Sequence, residues 1–454
     1  MSNRVRKRKN NAHEHWLDCS EEKFGKQLVN DTKVLLGILV LYIPAPIVWG
    51  LMDLQSSRWT IQATRMTGDL GFYEIKPDQI QIFSPLLILI SIPLFDNIIY
   101  PLLAKIGIKT PLQKIAVGAF LSGLSLLISG TVELQLAKTY PVLPIEGESQ
   151  LRIFNSMPCD YAVTTNIPDH NLFIIKSIGR FEDRQIKITT EGSAQFLYSF
   201  NAIENTTMCP PFDGFFSLSS AKANSYQIRQ SGVLTFEDDP NKSRTGDPLV
   251  RVLANTAEVK SIQIVDLKRN RFERFSSNTS DISVFQTVPS TFEIVMEDVI
   301  IGQFSTYQGG VYTLLISEGL NSEYLVSLQE ISAPNSVNML WLAPQYTIQA
   351  LGETVFAITG YSFAYAEAPK SMKAVVQAFW LMTIAVGNLI DIFVIAAKFP
   401  TQAMEFFVFA GLLFVDLLLF MYLSYRYKRP AELAVEEGPL IAEQQLEKIV
   451  KFNE

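Results

Sequence analysis

Six stretches of about 20 residues with almost no charge decide what this chain can fold into, since runs that long and that apolar are costly outside a bilayer. They fall near Val34–Met52, Ile82–Ala104, Ile115–Val132, Met339–Tyr365, Val375–Ala397 and Phe406–Tyr425. Each predicts a membrane helix. The composition agrees: 454 residues, 48% hydrophobic and 18% charged, are too apolar for one water-soluble domain. Between the third and fourth runs lies a polar block, Glu133–Asn335, large enough to be a separate globular unit. The expected order is a cytosolic basic tail over 1–30, three membrane helices in 31–132, an extracellular block over 133–335, three more helices in 336–427 and a cytosolic tail over 428–454.

Orientation follows from the basic residues. Arg4, Arg6, Lys7, Arg8 and Lys9 crowd the first tail, Lys105, Lys109 and Lys114 sit between the second and third runs, and Arg426, Lys428 and Arg429 follow the last. Such sites stay on the cytosolic side, which puts both termini inside and the polar block outside. Met1–Gly25 has no apolar core, so no secretory signal is visible and the first membrane helix is expected to direct its own insertion. A net charge of −7 gives no reason to expect nucleic acid.

The polar block alternates apolar and polar residues in short runs, among them Phe173–Ile178, Gln185–Thr190, Tyr226–Phe236, Ser261–Leu267 and Val311–Ile316, punctuated by Gly, Pro, Asn, Asp and Ser. That rhythm predicts antiparallel strands with one buried face, enough for two β-sandwiches divided near Asp238–Gly246. Asn205, Asn241 and Asn278 open glycosylation sequons in this block, whereas the sequon at Asn30 falls on the cytosolic side. Cys159 and Cys209 share the block and are either a disulfide or two buried thiols, while Cys19 lies in the reducing tail. His170 has no neighbours in sequence that make a metal site, and no metal is expected.

Acids inside the apolar runs carry the functional signal. Glu353 has a turn or more of Ala, Val, Phe, Ile and Leu around it, and a carboxylate there costs several kcal/mol unless it faces a cavity or a partner. Asp53, Asp96, Asp391 and Asp416 also fall at or inside the runs. Trp49 and Trp380 are flat amphipathic rings in the same regions, suited to a pocket that accepts varied side chains, or simply to packing. Phosphate loops, nucleophile elbows and metal-ligand clusters are absent from the sequence, so neither an enzyme nor a cofactor is expected.

Several of these words resemble the proton-coupled oligopeptide transporter family. HWLDCSEEKFG at His15–Gly25 resembles the loop before the seventh membrane helix of its animal members, and PDQIQ at Pro77–Gln81 with IPLFDNIIYP at Ile92–Pro101 resembles the eighth. Gly352–Glu353 and Phe363–Pro369 are similar to the tenth, and VVQAFWLMTIAVGN at Val375–Asn388 to the eleventh. The resemblance implies the second six-helix half of a major facilitator fold, all-α in the membrane, with an extracellular all-β insertion of two immunoglobulin-like sandwiches. It also implies proton-coupled uptake of di- and tripeptides at the plasma membrane, with protons as coupling ion and this chain supplying the C-terminal half of the path beside an N-terminal half.

On that resemblance Glu353 holds the peptide ammonium, and Trp49 and Trp380 line the pocket. Ser84 stands where the family usually has an asparagine that grips the peptide backbone. Asp53 and Asp96 take gating or coupling roles, with Lys33 as a candidate partner for Asp96. The alternative is a membrane-anchored surface module that acts through its β-sandwich lobes and transports nothing.

Overall fold

The computed structural model describes residues 16–188, 192–204, 208–256, 259–276, 282–319, 323–397 and 399–427. The chain divides into two compact units. One gathers Met1–Thr60, Gln79–Leu134 and Trp341–Glu454; the other gathers Ile61–Asp78 and Gln135–Leu340.

The first unit is helical. Its main helices are α1 (Lys26–Leu41), α2 (Ala45–Thr64, which ends in the second unit), α3 (Phe83–Leu94), α4 (Tyr100–Lys105), α5 (Pro111–Leu136, likewise), α6 (Ala343–Glu367), α7 (Lys373–Ala396) and α8 (Gln402–Arg426). Three of them, α5, α7 and α8, are long and apolar enough to cross a membrane, and the bent pairs α1 with α2 and α3 with α4 bring the number to five among the described residues. The first expected run, Val34–Met52, is therefore two helices meeting at 43°. Pro44 and Pro46 explain the break, because neither ring can donate the backbone hydrogen bond that would carry one helix into the next. The α3–α4 bend, also 43°, follows Pro93 and passes through a π-helical turn, Phe95–Ile99. There the side-chain amide of Asn97 donates to the Pro93 carbonyl at 2.8 Å, re-satisfying backbone that the bend loosens.

The fourth expected run holds a 25-residue helix, α6, that is not among those apolar enough to span. Its polar residues are turned inward: Gln345, Gln349 and Thr354 are all buried. Ser125 on α5 donates to Gln349 Oε1 at 2.8 Å, and Ser91 on α3 bonds the Thr354 hydroxyl at 2.7 Å. Small residues let these helices close on each other: a Cβ built on Gly118 would lie 2.8 Å from the Gly352 carbonyl oxygen, and one on Gly50 2.8 Å from that of Gly387.

The second unit carries sixteen strands in four sheets among the described residues. The first lobe has β1 (Glu148–Asn155), β2 (Tyr161–Thr165), β3 (Leu172–Ile175), β4 (Arg180–Lys187), β5 (Ser193–Ala202), β6 (Phe212–Ser219), β7 (Ala223–Arg229) and β8 (Gly232–Asp238). Its sheets run β4-β1-β7-β8 and β3-β2-β5-β6, and they close over a core that includes Leu151, Ile153, Tyr161, Val163, Phe200 and Phe216. The second lobe has β9 (Leu249–Asn255), β10 (Ser261–Asp266), β11 (Arg271–Ser276), β12 (Ser283–Gln286), β13 (Ser290–Met296), β14 (Val299–Thr306), β15 (Val311–Glu318) and β16 (Tyr324–Ser332). Its sheets run β12-β9-β15-β16 and β11-β10-β13-β14. Counted from its own first strand, the second lobe repeats the strand order of the first.

The strands are not all antiparallel, as the alternation had suggested: β1 runs parallel to β7, and β9 parallel to β15. The two lobes share a core of Phe154, Ile178, Leu253, Val311, Leu315 and Ile331. Beside it Asp238 receives Arg152 at 3.0 Å and Arg251 at 2.5 Å, with Glu182 on the far side of Arg152 at 2.9 Å. The segment 61–78, expected to belong with the membrane helices, joins this unit instead. Thr67 donates its N–H to the Val337 carbonyl and accepts that of Met339, both at 2.8 Å, and the Asn335 amide donates to the Thr64 and Met66 carbonyls at 3.1 Å. Gly246, at φ +83°, passes so close that a Cβ there would lie 2.5 Å from the Thr64 carbonyl oxygen.

Candidate functional site

Glu353 projects from α6 toward α2 and α3. Gln55 on α2 donates its amide to Glu353 Oε2 at 3.1 Å, and Ser84 on α3 donates its hydroxyl to Gln55 Oε1 at 3.2 Å. The three side chains make a relay across three helices, with the carboxylate at one end. Gln55 orients the acid without neutralising it, since an amide brings hydrogen bonds but no charge. Glu353 thus keeps its capacity to attract a cation in a setting where Coulomb attraction is several-fold stronger than in water.

One turn further along α6, Phe356 meets Trp49 of α2 at 5.2 Å and Trp380 of α7 at 5.7 Å between ring centroids. Trp49 and Trp380 lie 6.1 Å apart, and Tyr42 closes the cluster 5.2 Å from Trp380. The rings face each other rather than open space: Trp49 and Trp380 are buried, and both indole N–H groups lack a hydrogen-bond partner among the described residues. Gly360 makes this packing feasible, because a Cβ there would come within 2.2 Å of the Trp380 ring.

The remaining sequence candidates scatter. Asp53 is half-buried on α2, two residues before Gln55. Asp96 lies in the π-helical turn, and its side chain is outside the described residues. Lys33, weighed as its partner, pairs instead with Asp18 at 2.5 Å. Cys159 and Cys209 are joined by a disulfide. Asn241 is exposed, its N–H bonded to Asp239 Oδ1 at 2.9 Å, while Asn205 and Asn278 lie outside the described residues. His170 pairs with Asp183 at 2.7 Å, and no cluster of metal-binding groups occurs among the described residues.

Sequence reasoning missed Gln55 and the ion pair between Arg58 of α2 and Glu405 in the first turn of α8, 2.8 Å long. Gln55 carried a weak signal in lying on the helix that holds Trp49 and Asp53. The Arg58–Glu405 pair carried none, since both residues flank their apolar runs and read as ordinary helix ends.

Helices of membrane-crossing length and apolarity around a half-buried carboxylate relay define a class: polytopic membrane proteins, in which intramembrane acids mark substrate and ion pathways. The model of the POT family matches residues 2–208 and 313–408. The chain belongs to the POT family, whose members are transporters rather than enzymes. Its relatives include peptide transporter family 1 of Drosophila melanogaster, 34% identical over 92% of this chain and 57% of that protein. Solute carrier family 15 member 1 of Canis lupus familiaris is 31% identical over 96% and 62%, and member 2 of Danio rerio 35% over 94% and 60%. The chain thus spans about three fifths of the length of these relatives. The crystal structure of the POT family transporter PepTSo is similar at a TM-score of 0.43 and 15% identity, over 90% of this chain and 44% of that one.

Proposed function

We propose that the chain supplies the C-terminal half of a path for di- and tripeptides, driven by protons moving with them. The relay Glu353–Gln55–Ser84 carries this reading. A peptide offers one fixed ammonium whatever its side chains, and a carboxylate held in place on the inner face of a helix bundle is its natural partner. A pure membrane anchor has no use for such an acid, whose burial only costs stability. Trp49 and Trp380 close on each other in this state and would meet peptide side chains once α2 and α7 part. Asp53 and Asp96 serve gating or coupling.

The fold that goes with this reading is the second six-helix half of a major facilitator bundle. The two lobes are then immunoglobulin-like sandwiches outside a plasma membrane, glycosylated at Asn205, Asn241 and Asn278, with both termini cytosolic and an N-terminal half as partner. The test is Glu353→Gln, which keeps shape and removes charge. Loss of one desolvated charge partner costs about 2–5 kcal/mol, more than tenfold in affinity. Uptake of a labelled dipeptide by the chain paired with the N-terminal half of a relative should fall at least that far; unchanged uptake removes Glu353 from the binding role.

A further inference from the structure

Near the middle of α8, Asp416 is 4% exposed, and neither of its carboxylate oxygens has a hydrogen-bond partner among the described residues. The residue lines a cavity of about 10 Å³ walled by α2, α5, α6, α7, α8 and the end of α1, with room for about one water. Two other buried, unpartnered polar groups belong to residues that line the same cavity: the Tyr42 hydroxyl and the Trp380 indole N–H. The rest of the wall is apolar, with Phe356, Phe363 and Phe420 among its rings.

Among the described residues, no other charged residue lines it. The acids of the surrounding helices are engaged or placed elsewhere: Glu353 accepts from Gln55, and Glu405 pairs with Arg58. Asp53, Asp391 and Glu133 lie outside the cavity wall. Two lysines of the surrounding helices are engaged as well, Lys33 with Asp18 and Lys114 over the ring of Tyr100. An ionised carboxylate would thus sit in hydrocarbon with no counter-charge, at a cost of several kcal/mol.

The hydrogen-bonding inventory favours the acid form. A carboxylate only accepts; a carboxylic acid donates once through O–H and accepts through C=O. The cavity brings one group that can only donate, the indole N–H, and one that takes either role, the phenol. The acid can reach both through one bridging water.

We infer that Asp416, facing a one-water cavity that the Tyr42 and Trp380 side chains also line, is a proton-binding site inside the helix bundle. The proton comes from water, adds to one carboxylate oxygen with no other bond made or broken, and returns to water on release. The site rests on the symport reading only for what the proton is used for, so its test needs no peptide and its failure would leave the Glu353 role standing.

The measurement is infrared difference spectroscopy of the full chain reconstituted in lipid vesicles, titrated from mildly acidic to alkaline buffer, with helix content checked by circular dichroism. The intact chain should show a protonated-carboxyl C=O band, at neutral pH and below, that Asp416→Asn removes. A carboxyl spectrum identical in the parent and in folded Asp416→Asn overturns the proposal. Should Asp416→Asn fail to insert, Tyr42→Phe decides: removing the phenol that shares the cavity should shift the Asp416 band, and an unmoved band contradicts the site.

Discussion

Lys242 has its ammonium in a half-buried corner, where Nζ donates to Asn335 Oδ1 at 2.9 Å and the same asparagine ties down the end of α2. Burial, with Arg65 nearby adding repulsion, pushes the Lys242 ammonium down from its ordinary 10.5 to about 8. A base whose folded value is lowered burdens the native state below that value, where both states hold the proton. Between about 8 and 10.5 the native amine is already neutral while the unfolded one stays charged, so stability rises with pH across that window. Thermal unfolding of the β unit should show this rise in the parent chain and a flatter profile in Lys242→Met; equal slopes would contradict the assignment. Glu353 was legible in the sequence because an acid alone in an apolar run announces itself. Its partner Gln55 was not, because an amide is unremarkable until the fold brings α2 against α6. The same holds for Asp238, which read as part of a polar linker and is the buried counter-ion of two arginines from two lobes.

Among the elements, the apolar runs told where helices lie but not where they break or which face they turn in. Proline placed the α1–α2 and α3–α4 bends in plain sight at Pro44, Pro46 and Pro93, yet a window average smooths over them. In α6 the polar residues lower the mean hydropathy just where Ser91 of α3 and Ser125 of α5 satisfy them with hydrogen bonds. Strand direction was illegible for a related reason: alternation reports burial of a face, and the β1–β7 and β9–β15 pairs bury one whichever way they run. The closeness of α5 to α6 yields a prediction. Gly118→Ala places a methyl against the Gly352 carbonyl oxygen and the Phe356 amide, each 2.8 Å from the built Cβ, and backbone there cannot rotate away. Overpacking of this kind costs about 1–3 kcal/mol. The detergent-solubilised variant should unfold at a lower temperature than the parent, whereas Gly411→Ala, where nothing lies within 4 Å of the built Cβ, should leave it unchanged. A Tm for Gly118→Ala equal to the parent's would show that α5 and α6 do not pack this tightly.

At the scale of the molecule, the separation of apolar runs from a polar block was visible in composition alone, since the two kinds of segment need different solvents. What composition did not reveal is that 61–78, sequentially next to the helices, belongs to the β unit; backbone pairing of Thr67 with Val337 and Met339 decides that, and pairing leaves no local pattern. Nor did it reveal that the two lobes repeat one strand order, which register and not residue type defines. On the proposed function, this chain would bear the peptide-gripping half of a proton-driven path. The most direct measurement is uptake of a labelled dipeptide by membranes holding the chain together with the N-terminal half of a related transporter, with and without an inward proton gradient. Uptake by the pair should exceed that of either half alone and collapse when the gradient is dissipated. Uptake by the pair no greater than that of the N-terminal half alone, with both chains present in the membrane, would contradict it.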